Sequence, residues 1–192
     1  MSSSSGHGAV VPASRGPVEW PAALSPQIAD ILSRYPTKQA AVMPLLWLAQ
    51  DTWDWLDLDV MRLVARTIEV PASQVHAVAS FYTMFKKAPT GKYLFQVCHT
   101  LSCALVGAEK IVAHLERVLE VDDHGNSKDG LFTLMRVECL ASCGSAPMMQ
   151  VNDHFYERLT PDTCDQIIAG LRSGKPLAVP RPEVDEWTFR VS

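Results

Sequence analysis

The sequence predicts an α/β (α+β) protein in two parts, a small N-terminal helical bundle followed by a separate mixed domain of strands and helices. Three observations predict it. Between residues 21 and 88 apolar side chains recur at helical spacing, cut by prolines and capping residues. At "KKAPTGKYLFQVC" the pattern changes to aromatic and β-branched residues just after a Pro and Gly turn. From there to residue 175 the runs alternate in the order β-α-β-β-α. The expected organisation is a flexible tail over 1–20, the bundle over 21–88, the mixed domain over 89–175 and a proline-punctuated tail over 176–192, which could dock through Trp187 and Phe189.

In the bundle, Ser25 followed by Pro26 offers a cap and a first-turn proline for "QIADILSRYP", which Pro36 ends. Thr37 can cap the next helix, where Leu45, Leu48, Ala49 and Trp53 share a face and Pro44 either kinks the helix or sits near its start. Asp57 or Asp59 can open "VMRLVARTIEV", and Pro71 can open a fourth helix with Val75, Val78, Ala79 and Tyr82 on one side. Core and interface packing accounts for Trp47, Trp53, Trp55 and Phe81. No catalytic pattern occurs there.

In the mixed domain, Tyr93, Leu94, Phe95 and Val97 read as a strand. A single helix is expected next over "CALVGAEKIVAHLERVLEV", with Leu105, Ala108, Ile111, Val112, Leu115 and Leu119 on its apolar side. "DDHGNSKDG" is a loop and "LFTLMRVE" a second strand. "APMMQVNDHFYERL" gives two short strands turning at Asn152-Asp153, and Thr160-Pro161 caps a last helix stopped by Gly174. This order suits a thioredoxin-type sandwich better than a doubly wound sheet.

Composition narrows the function. The 192 residues are 47% hydrophobic and 20% charged with a net charge of −4, and no basic stripe is present to meet a phosphate backbone. Nucleic acid is therefore not an expected partner. "AAVMPLLWLA" is about half of the ~20 residues that cross a bilayer, so no direct membrane insertion is expected. The opening "MSSSSGHGAVVPASRGP" has one arginine and no apolar core, and reads as neither a secretory signal nor a transit peptide. Thiols in a reducing compartment favour metal or redox use over a disulfide framework.

Four of the five cysteines form two pairs, Cys98 with Cys103 in "CHTLSC" and Cys139 with Cys143 in "CLASC". Each pair follows a predicted strand, so the two loops meet at one edge if the strands are neighbours. A C-x4-C pair matches a spacing used by two-iron clusters, and a second pair completes two thiolates per iron in one [2Fe-2S] cluster. A four-cysteine zinc site is the alternative, although zinc knuckles prefer C-x2-C. A dithiol enzyme lacks its C-x-x-C, and cysteines used only as core filler do not fall into paired loops. Small residues at Ala141, Ser142, Gly144 and Ser145 let backbone N–H groups approach the sulfurs, and the positive end of a helix faces the site at Cys103. Thr100, Ser102 and Ser142 are candidate hydroxyl donors. His99 is expected to face solvent, and Cys164 to pack with Ile167, Ile168 and Leu171. With no G-x-G-x-x-G after a strand and no P-loop, neither nucleotide nor flavin is expected on this chain, and its electrons must come from a partner.

"PLLWLAQD", "VASFYTMF", "GKYLFQVC", "VECLASCGSAPMMQVND" and "YERLTPD" together resemble the 24-kDa, E-type subunit family of NADH:quinone oxidoreductase, respiratory complex I, over Leu24 to Gly174. "CHTLSC" lacks the proline common in that family's first loop, and Ala141-Ser142 replaces a frequent Gly-Ala; both changes spare the cysteines. The resemblance implies a helical bundle and a thioredoxin-like domain with one [2Fe-2S] cluster at Cys98, Cys103, Cys139 and Cys143. It further implies that FMN and NADH sit on a partner subunit, with a large iron–sulfur subunit close by. The place implied is the peripheral arm, on the cytoplasmic face of the inner membrane or the matrix side in mitochondria. Related chains serve as diaphorase subunits of NAD-linked hydrogenases and formate dehydrogenases.

Overall fold

The helical periodicity of residues 21–88 produces four helices: α1 (Ser25–Ser33), α2 (Val42–Trp53), α3 (Leu58–Ile68) and α4 (Ala72–Phe81). The structure, a computed structural model, describes residues 14–175; the predicted C-terminal tail with Trp187 and Phe189, and residues 1–13 of the predicted N-terminal tail, lie outside the described residues. The chain divides into two units between Pro89 and Thr90.

In the first unit Ser25 is not a cap. A 3-10 turn over Ala22–Leu24 runs straight into α1, so Ser25 is already helical and Leu24 holds the capping position. Another 3-10 turn over Lys38–Ala41 leads into α2. Pro44 is therefore third in α2, in the first turn, where proline is tolerated. Of the two candidate aspartates, Asp57 is the cap of α3: its Oδ1 accepts from the N–H groups of Asp59 at 2.9 Å and Val60 at 2.8 Å. Such a cap contributes about 1 kcal/mol. Arg15 pairs with the buried Asp57 carboxylate, so the charge is not left alone.

Leu45, Leu46, Leu56, Val60, Val64, Ile68, Val75 and Ala79 close the core of this unit, with Trp53 packed against it. Phe81 departs from the core reading of the aromatic residues: it is 78% exposed at the end of α4.

The second unit is built on a four-stranded sheet of order β2-β1-β3-β4, from β1 (Tyr93–Cys98), β2 (Phe132–Val137), β3 (Met149–Val151) and β4 (His154–Tyr156). β1 and β2 are parallel, while β1 with β3 and β3 with β4 are antiparallel. Phe95, Val97, Phe132, Leu134, Met149 and Val151 alternate onto one face, as the two-residue period of strands requires. Two helices cover them, α6 (Ala108–Leu119) and α7 (Pro161–Arg172). Thr160 caps α7 in a reciprocal box with Thr163.

The single helix expected after β1 is in fact two. A short α5 (Leu101–Leu105) ends before Gly107, whose φ of 99° lies in the left-handed region, and α6 restarts at Ala108. Glycine bears that conformation without a Cβ clash. The break rotates α5 out of the apolar stripe of α6, and Leu105, expected in the core, is 78% exposed.

Candidate metal centre

The parallel pairing of β1 with β2 sets the geometry of the site. Its register places Cys98 beside Val137, the last residues of the two strands, so the chains that follow leave the same end of the sheet. Cys139 comes two residues after Val137. The backbone continues the pairing one step further, with His99 N–H donating to Val137 O at 3.2 Å.

Cys98 and Cys103 are buried. Cys103 sits in the first turn of α5. With Ala108 and Met148 the two cysteines form a small apolar cluster of their own. Leu140 and Ala146 from the second loop pack against this cluster, so the two loops touch. The Cys98 backbone N–H donates to Met148 O at 3.2 Å, which ties β1 to the same stretch.

Cys139 and Cys143 are exposed, with sulfurs 3.8 Å apart. Ala141, at φ 63°, turns its N–H onto Cys139 Sγ at 3.3 Å. Cys143 begins a 3-10 turn ending at Ser145. The loop is tied to the chain after β4: Arg158 N–H donates to Ser145 O at 2.8 Å and Leu159 N–H to Pro147 O at 2.9 Å. Ser142 and Ser145 both direct their hydroxyls at one Glu157 carboxylate oxygen. That corrects the role expected for Ser142, whose hydroxyl serves Glu157 and not a sulfur. Thr100 does reach one: its Oγ1 lies 3.3 Å from Cys98 Sγ.

The two buried thiols are driven apart electrically. Burial raises Cys98, but hydrogen bonds from Thr100, Cys103 and the Leu140 backbone outweigh it and hold the thiol below its ordinary range. Cys103 is pushed up to about 11 by burial, then by its bond to Cys98 and the charges of Cys98 and Cys143, against a Met148 backbone bond that lowers it. Glu157 is held below the usual carboxylate range by the Ser142 and Ser145 hydroxyls.

The remaining candidates stand apart. His99 Nε2 lies 3.7 Å from Glu138 Oε1 and its side chain is partly exposed. Cys164 is fully buried among Ile167, Ile168 and Leu171, and burial, with the nearby Asp165 charge, pushes its thiol up to about 12. Glu157 is the residue that spacing did not reveal, because a carboxylate 15 residues from Ser142 carries no local signal.

Chemically, the end of the sheet offers four soft sulfur donors as two pairs, with the Ala141 N–H directed at Cys139 Sγ and the Thr100 hydroxyl beside Cys98 Sγ. Among the described residues no three His, Cys, Asp or Glu side chains are gathered tightly enough for one metal ion. Thiolates in pairs, with N–H groups to offset negative charge, fit the terminal ligand set of a binuclear iron–sulfur cluster.

A four-stranded mixed sheet with two cysteine loops at one end defines a class of thioredoxin-fold proteins with a paired-thiol centre. A family described as thioredoxin-like [2Fe-2S] ferredoxin matches residues 28–172. The chain belongs to this thioredoxin-like [2Fe-2S] ferredoxin family. The E subunit of the NADH-quinone oxidoreductase of Rickettsia bellii is 41% identical over 147 residues, which cover 75% of this chain and 88% of that protein. The corresponding chain of Thermus thermophilus, named as subunit 2 of its NADH-quinone oxidoreductase, is 41% identical over 151 residues, covering 77% and 83%. A crystal structure of an NAD+-reducing [NiFe]-hydrogenase in the air-oxidized state shares the fold, with a TM-score of 0.59 at 20% identity over 69% of this chain and 23% of that one.

Proposed function

We propose that this chain is an electron-transfer subunit of NADH:quinone oxidoreductase and that Cys98, Cys103, Cys139 and Cys143 hold its one [2Fe-2S] cluster. The observation that carries the proposal is the parallel register of Cys98 with Val137, which brings both cysteine loops to one end of the sheet. The relatives of matching length, named as subunits of that oxidoreductase, support the choice of assembly. When bound, a [2Fe-2S] cluster takes up and returns one electron at a time.

The chain's own residues hold and insulate the site. Four thiols must lose their protons on loading, so loading is favoured as pH rises and hardest at Cys103. Backbone N–H groups and the Thr100 hydroxyl supply donors that offset the charge of thiolate sulfur. Ala108 and Met148 keep water from the Cys98 and Cys103 side.

The partner is the NADH- and FMN-binding subunit, with the large iron–sulfur subunit beyond it. Leu101, Leu105 and Val106, 74%, 78% and 55% exposed around Cys103, give an apolar face on which the flavin-bearing subunit docks beside the site. Among the described residues no helix is long and apolar enough to cross a membrane. That is compatible with a place in the peripheral arm, on the cytoplasmic or matrix side.

Metal and sulfide analysis of anaerobically purified protein tests the reading. Two irons and two acid-labile sulfides per chain, a visible band bleached by dithionite and an EPR signal on reduction are expected. Colourless protein with one zinc overturns it.

A further inference from the structure

The two halves of the second cysteine loop are anchored by different means. Ser145 and Pro147 are tied through their carbonyls to the N–H groups of Arg158 and Leu159. Residues 139–144 make no backbone–backbone hydrogen bond to another element of the described chain. At its start Leu140 packs against the Cys98 and Cys103 cluster; past that point the half is held by the Glu157 side chain, on which the hydroxyls of Ser142 and Ser145 converge, their own oxygens 2.8 Å apart. Those serines bracket Cys143 and Gly144, and a Cβ at Gly144 would meet open space.

We infer that Glu157 is a positioning residue: by gripping Ser142 and Ser145 from the end of β4 it fixes Cys143 relative to Cys139 and to the buried pair. The grip is charge-assisted, which makes it stronger than hydroxyl bonds to a neutral acceptor. It also resists the alternative in which two serine hydroxyls turn to solvent and the loop loses its shape. Placement of a metal-binding thiol therefore depends on a residue that belongs to neither cysteine pair, as outer-shell partners commonly orient a ligand. That Cys143 is a ligand rests on the proposed function; that Glu157 orders the loop does not.

The test compares the wild-type chain with Glu157→Gln and Glu157→Ala. Glutamine keeps an oxygen that accepts both hydroxyls, whereas alanine removes it. In the cluster-free chain, backbone 15N order parameters at residues 141–145 are expected near about 0.85 for wild type and E157Q, falling below about 0.6 for E157A. Elsewhere in the sheet they stay unchanged. In the loaded chain, an iron chelator is expected to bleach E157A at least fivefold faster than wild type, with E157Q within about twofold of it. Should E157A fail to fold, the paired substitution of Ser142→Ala with Ser145→Ala removes the same bonds and is expected to reproduce both effects. Wild-type order in E157A or in the serine pair overturns the inference, as does E157Q behaving like E157A. If the wild-type chain takes up no cluster at all, the proposed function fails, and the order parameters still decide the part played by Glu157.

Discussion

The two cysteine loops leave neighbouring strands at the same end of one sheet, yet they are held in opposite ways. Cys98 and Cys103 are each 2% exposed and sit between β1, the first turn of α5 and Met148. Cys139 and Cys143 are exposed, on a loop whose contact with the rest of the unit runs through Leu140, Ala146 and Glu157. Similar spacing in sequence therefore produces one pair prepared by burial and one by side-chain hydrogen bonds. Burial fixes sulfur positions and makes the Cys103 thiolate harder to form, while hydrogen bonds offset that effect at Cys98; the exposed loop leaves its sulfurs open to solvent. A site that must be both rigid and loadable can use one of each.

Serine substitutions break the comparison with the largest effect. Cys98→Ser and Cys139→Ser are both expected to abolish the visible chromophore, because each removes one of the four proposed ligands. Their cluster-free stabilities should differ: a hydroxyl in the apolar cluster of Cys98 costs about 1–3 kcal/mol, whereas Cys139→Ser costs under about 0.5 kcal/mol in urea denaturation. Full chromophore with Cys139→Ser would remove the exposed pair from the ligand set.

Thiol reactivity sharpens it next. The thiolate is the nucleophile, so a thiol pushed up from 9.0 to about 11 is alkylated roughly 100-fold more slowly at pH 8 than an ordinary one. Timed iodoacetamide labelling of the cluster-free chain, read by mass spectrometry, is expected to modify Cys139 and Cys143 first and Cys103 far behind them. Labelling of Cys103 together with Cys143 would mean the buried pair opens.

Cys164 is a control for burial without a cysteine loop. Its folded pKa of about 12 lies above the ordinary 9.0, so its contribution to stability is full below pH 9 and is lost as pH rises from 9 towards 12. Cys164→Ala lacks that titration. The stability gap between wild type and the variant is expected to shift by about 1.4 kcal/mol in favour of the variant between pH 7.5 and 10. Unchanged chromophore accompanies it; a gap constant with pH would place the thiol in a wetter site.

The smallest effect is at Ala141, whose φ of 63° strains a residue with a Cβ. Ala141→Gly is expected to stabilise the exposed loop by roughly 0.5–1 kcal/mol, seen as slower chelator bleaching. Faster bleaching would mean that the stiffness of alanine at this turn matters more than its strain.

Much of this was legible in residue order. The four sheet strands, the turn at Asn152-Asp153 and the cap at Thr160 follow from local preferences that act within a few residues. The helix break at Gly107 was not legible, since apolar periodicity runs on through "CALVGAEKIV" and is blind to the sign of φ at one glycine. The choice of Asp57 over Asp59 was also open, because either carboxylate could reach a free N–H in the first turn.

By itself the sequence determined the strands, most of the helices and that two cysteine pairs follow two strands, since hydrophobic period, caps and turns are read from near neighbours. Only the tertiary structure decided that those strands lie parallel with Cys98 beside Val137, that one thiol pair is buried and the other open, and that Glu157 grips Ser142. The physical reason is range. Strand register, burial and charge-assisted contacts join groups far apart in the chain, and their free energy exists only once the whole unit has folded.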